Sequence, residues 1–142
     1  MKLPSNDDIV NKVSTTKTII PCLRILNPSM DLNLKELTNI LPKSFSKCHF
    51  DIGKIQFNAL SFLIQQKFLT DLSFYGSINL EEISPAEMKK FFQTLKTINE
   101  VYIFSSISAL NPTIKKFIKI GTDAGFVVHY SIKHFAIYNY SN

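Results

Sequence analysis

The sequence predicts an α/β protein: a two-layer, curved and mostly parallel sheet of repeated βα units, with helices on one face and a C-terminal hairpin. Two observations predict it. Short extended runs alternate with helical runs along most of the chain. Within the extended runs, apolar residues fall at every second position, as a sheet buried on one face only requires. A doubly wound sheet, covered on both faces, would carry near-continuous apolar strands instead. The chain has 142 residues, 45% hydrophobic and 19% charged. That is ample material for one core and carries no signature of disorder. Residues 1–16, rich in Ser, Thr, Asn and Asp, read as a flexible lead-in, and residues 17–142 as a single βα-repeat domain.

The elements follow in order. A first strand over 18–26 turns Leu23 and Ile25 inward, and a helix over 32–41 follows. In the second strand, 46–52, Cys48, Phe50 and Ile52 share one face while Lys47, His49 and Asp51 share the other. A helix over 55–67 leads to the third strand, 70–75, where Leu72 and Phe74 oppose Asp71, Ser73 and Tyr75. The third helix, 85–95, has the clearest local signal. Ser84-Pro85-Ala86-Glu87 is a capping box with proline at the first helical position. Met88, Phe91, Phe92 and Leu95 then form one apolar stripe, with Lys89 and Lys90 off it. In the fourth strand, 100–104, Val101 and Ile103 point inward, opposite Glu100, Tyr102 and Phe104. Asn111 and Pro112 open the last helix, 112–124, whose inward residues are Ile114, Phe117 and Ile118. Gly121 or Gly125 supplies its stop signal, Gly125 being favoured. Residues 126–131 and 134–140 read as a hairpin turning near Ile132-Lys133.

Taking Leu23, Cys48, Leu72, Val101 and Val127 as equivalent inward positions gives steps of 25, 24, 29 and 26 residues. Leucine-rich repeats, each a strand plus a helix, run about 20–29 residues, so the predicted fold is leucine-rich-repeat-like. The asparagine of the standard repeat is missing after most of these strands. Three segments carry a family likeness: Phe68-Leu69-Thr70-Asp71-Leu72-Ser73-Phe74, Ile98-Asn99-Glu100-Val101-Tyr102-Ile103-Phe104 and Gly125-Phe126-Val127-Val128-His129-Tyr130. Over roughly residues 18–140 the chain resembles the C-terminal, F-box-associated regions of nematode F-box proteins. The resemblance implies a receptor for proteins destined for ubiquitylation. The F-box itself, the helical motif that binds the Skp adaptor, is not recognisable. Leu3-Pro4 begins like one, but the helical pattern that should follow is absent. The resemblance therefore implies the receptor half alone, a fragment, or a relative that has lost the ligase connection.

Sixteen Lys+Arg against eleven Asp+Glu give a net charge of +5. The lysines are scattered, and Arg24 is the sole arginine. A specific nucleic-acid reader usually carries more arginine, whose fork pairs bidentately with guanine or phosphate. No stretch reaches the ~18 apolar residues of a membrane span. The polar, early-acidic N-terminus does not read as a signal peptide. A reducing cytoplasmic or nuclear setting is the default expectation, with Cys22 and Cys48 as reduced, buried thiols.

No catalytic, metal or cofactor constellation is legible. His49, His129 and His134 are scattered over strands, and neither cysteine has a metal-ligand partner at the usual spacing. His129 and His134 flank the expected turn as candidate cross-strand neighbours. The four glycines never cluster into a phosphate loop. Glu81-Glu82 precedes a capped helix, where acidic residues favour the helix dipole. What remains is the outward face: Arg24, His49, Asp51, Ser73, Tyr75, Tyr102 and Phe104. Tyr, Phe and Arg are typical interface anchors, so these residues are the expected protein-binding set. The competing structural reading covers them with a loop, the N-terminal arm or the hairpin as a second small core. The expected function is a non-enzymatic protein-interaction module with a protein partner. The alternatives are a basic RNA-binding module stacking bases on Tyr75, Tyr102 and Phe104, and a small α/β enzyme using His129 or His134.

Overall fold

A computed structural model of the chain describes residues 21–108 and 110–139. The expected lead-in, 1–16, and the start of the first expected strand lie outside these residues. The elements are β1 (Cys22–Leu32), α1 (Leu34–Ile40), β2 (Lys47–Gln56), α2 (Phe57–Ile64), β3 (Asp71–Asn79), α3 (Pro85–Leu95), β4 (Glu100–Ser105), α4 (Pro112–Asp123), β5 (Val127–Tyr130) and β6 (Phe135–Asn139). The strands form one sheet in the order β1-β2-β3-β4-β6-β5. β1 to β4 pair in parallel, each with its neighbour in the chain, while β6 runs antiparallel to both β4 and β5. The α/β class and the mostly parallel sheet agree with the sequence.

The first three steps of the repeat are structural equivalences. Leu23 lies opposite Cys48, Cys48 opposite Leu72, and Leu72 opposite Val101. Val127 does not continue the series: it is exposed and pairs with Tyr138. The reason is the connection. β5 and β6 are joined by a short turn rather than a helix, so β6 must return antiparallel, and it takes the slot beside β4.

β1 and β2 run further than their alternation suggests, because the pattern is broken by aligned irregularities. The register shifts between Asn27 and Asp31 in the first pair and between Asp51 and Lys54 in the second. The backbones close up there: a Cβ on Gly53 would stand 2.5 Å from the Pro28 carbonyl oxygen, and one on Gly76 2.5 Å from that of Ile52. Beyond the shifts the ladder resumes with Leu32 opposite Ile55 and Ile55 opposite Ile78, all buried. Leu32 and Ile55, expected at helix starts, are therefore strand residues.

The inward residues of β1 to β4 share one core with the apolar sides of the helices. Its centre is aromatic: Phe92 meets Phe117 at 4.8 Å between ring centroids, Phe91 at 5.4 Å and Phe126 at 5.5 Å. Such pairs contribute about 0.5–1.5 kcal/mol each beyond their burial. The α3 capping box is formed in both directions, with the Glu87 amide donating to Ser84 Oγ and the Ser84 amide donating to Glu87 Oε1. Asn111 caps α4 by accepting from the Thr113 amide. The stop is at Gly125, in the left-handed region at φ 96°. Its N–H donates to the Thr122 carbonyl and that of Phe126 donates to Gly121, closing a Schellman motif. Gly121 lies inside α4 against the Phe92 ring, where a Cβ would meet Cζ at 2.7 Å.

The two cysteines separate. Cys48 is buried as expected, but Cys22 is exposed. It sits one residue before the inward Leu23, on the opposite side of β1.

Candidate interaction surface

Strand alternation sends every second side chain of the sheet away from the core, and the pairing registers sort these outward residues into rows. Arg24 stands opposite His49, His49 opposite Ser73, and Ser73 opposite Tyr102. In the next row Asp51 stands opposite Tyr75, and Tyr75 opposite Phe104. All of the residues singled out in the sequence thus fall on one face, in two adjacent rows. Tyr75 and Tyr102 are diagonal rather than directly opposed, yet their ring centroids lie 5.3 Å apart.

The rings form a continuous ladder with Tyr75 at its centre. Tyr75 is 5.7 Å from His49 and 6.2 Å from Phe104. Tyr102 stacks on Tyr138 at 6.5 Å, and Phe104 on His134 at 5.0 Å. The far end is closed by His129, which lies beside Tyr138 and shares a hydrogen bond between Nε2 and the phenol oxygen. All three histidines of the chain belong to this ladder. They are not one another's cross-strand partners: His129 pairs with Ala136, and His134 Nδ1 meets Ser131 Oγ in the turn.

Tyr138, His129 and His134 are the members that sequence reasoning left out. Their signal lay in the hairpin. Phe135 and Ile137 are buried, so Tyr138 must share the outward side with Ala136. What could not be read was that β6, not β5, would lie against β4.

The face is mixed in charge at the strand starts. Lys47 Nζ is 3.8 Å from Asp71 Oδ2, and Glu100 follows in the same row. Between these residues and Tyr102 lies a shallow depression of about 270 Å³ that also takes in Cys22, Arg24 and His49. Tyr75 is 37% exposed, and Tyr102, Phe104 and Tyr138 are half-buried among the neighbouring rings. The hairpin therefore widens the face rather than covering it. Burial holds the Cys48 thiol well above the usual cysteine range, with the neighbouring Cys22 adding to the shift.

Among the described residues no group of three or more His, Cys, Asp or Glu is arranged to hold a metal ion. Nor is any described helix long and apolar enough to cross a membrane. No protein-family model, curated protein or solved structure matches the chain.

Proposed function

We propose that this protein is a non-enzymatic protein-interaction module that receives a partner protein on the outward face of its sheet. In the setting the F-box resemblance suggests, it is a leucine-rich-repeat-like substrate receptor of an F-box-type ubiquitin-ligase adaptor, working in the cytoplasm or nucleus. One observation carries the reading: the contiguous ladder of rings centred on Tyr75, presented on the sheet beside Arg24 and Asp51. Rings held by their neighbours lose little entropy on binding, and a central aromatic anchor is worth about 2 kcal/mol or more at an interface. The mixed signs around the ladder suit a protein partner better than a polyanion. A second reading, RNA stacked on Tyr75, Tyr102 and Phe104, draws on the same rings and on the net charge of +5.

A photocrosslinking residue placed at Tyr75 separates the two. The expected result is a discrete protein adduct from Tyr75 and none from Lys116, exposed on α4. An adduct that vanishes on ribonuclease treatment favours the RNA reading, and no adduct at either position defeats both.

A further inference from the structure

The two edges of the sheet are built differently. β1 is guarded: it carries Pro28, a register break between Asn27 and Asp31, and the charged Arg24 and Asp31. Proline, bulges and charges are the usual devices that stop another strand from adding to an edge. β5, four residues long, is blunted only by its shortness and carries no proline, bulge or charged side chain. It is the last strand of the sheet, and among the described residues nothing pairs with its outer side.

That bare edge borders a cavity of about 670 Å³ between β5 and α4. Ile118 and Val128 line it at depth, and Leu110, Tyr130 and Ile132, each more than half exposed, line its mouth. Single exposed apolar residues are ordinary, but a cluster around one cavity marks a binding surface. The rim is basic. Lys119 is matched by Asp123 at 3.1 Å, while Lys115 has no ion-pair partner among the described residues.

The strand register says how an occupant would lie. Val128 and Tyr130 stand opposite Ile137 and Phe135, so they point to the core side of the sheet, toward α4. A strand added outside β5 would turn every second side chain to that same side, over the cavity. Its main chain would satisfy the open N–H and C=O groups of β5, and alternate side chains would fill the apolar floor.

We infer that the edge of β5, with α4 beside it, is a docking groove for an extended peptide segment of a partner protein, apolar at alternate positions and flanked by acidic residues. The surface is distinct from the ring ladder on the outward face.

Selection from a displayed library of random peptides, about 12 residues long, against the full chain tests this. Recovered peptides are expected to carry apolar residues at alternate positions beside Asp or Glu. Their synthetic versions are expected to lose about tenfold or more in affinity when one alternate set of backbone amides is N-methylated, and little with the other set. Lys115→Glu with Lys119→Glu, at exposed positions that leave the core intact, is expected to weaken the same peptides comparably at low salt. Recovery of no peptide, or affinities insensitive to both changes, would overturn the inference. So would sedimentation showing a dimer in which hydrogen exchange finds the β5 amides of both copies protected, since the edge would then belong to a second copy.

Discussion

Cys22 and Cys48 lie on neighbouring strands, only one step out of register, yet their surroundings differ. Cys22 is open to solvent, whereas burial holds Cys48 protonated. A thiol reagent at mildly alkaline pH is therefore expected to label the native protein once, at Cys22, and the denatured protein twice. Two labels on the native chain would show that the β1–β2 core opens readily. The same burial makes stability depend on pH. A thiol with a raised folded pKa binds its proton more tightly in the native state. Its contribution is fully present below the unfolded value, roughly 8.5, and is lost as pH rises past it. A melting temperature that falls through that alkaline window, and falls less in Cys48→Ala, is the expected outcome. The sequence made Cys48 legible because it alternates with Phe50 and Ile52. Cys22 departs from the expected burial because its place just before Leu23, not the general tendency of free cysteines to be buried, decides the side it takes. The ring ladder was legible by the same arithmetic through β4. It stopped there because the position of Tyr138 depends on which hairpin strand reaches the sheet.

Helices and strands differ in how far local chemistry specifies them. The start of α3 was fixed by Ser84, Pro85 and Glu87 alone, and both capping hydrogen bonds are present. Ser84→Ala is expected to cost about 1 kcal/mol in a denaturant melt. Lys89→Ala with Lys90→Ala, both exposed on α3, should change stability by no more than about 0.5 kcal/mol. If the lysine pair proves the costlier change, the cap does not hold the helix. The ends of β1 and β2 were not legible in this way. The register shifts at Asn27–Asp31 and Asp51–Lys54 lie where backbones far apart in sequence close on one another, at Gly53 against Pro28 and at Gly76 against Ile52. No local alternation announces such contacts, so Leu32 and Ile55 looked helical. The cap of α1 was also missed: the Glu36 amide donates to Asn33 Oδ1 at 2.8 Å, and Asn33 Nδ2 returns a bond to the Glu36 carboxylate.

At the scale of the whole molecule, sequential parallel units stack into a sheet whose inward face is one core and whose outward face lines up aromatic rings across β3, β4 and β6. The alternation that buries Leu72, Phe74, Val101 and Ile103 also presents Tyr75, Tyr102 and Phe104. Folding and the proposed binding are two consequences of one strand phase. Under the proposed function these rings serve a partner and are not a second core. The direct test compares Tyr75→Ala/Tyr102→Ala with the parent, measuring thermal stability and the affinity for the protein crosslinked through Tyr75, at low and high salt. Because the rings touch one another, the double change is expected to cost about 1–2 kcal/mol of stability. Affinity is expected to fall by more than about 2 kcal/mol, roughly thirtyfold, with little dependence on salt. A variant that unfolds, or one that binds as tightly as the parent, would contradict the account.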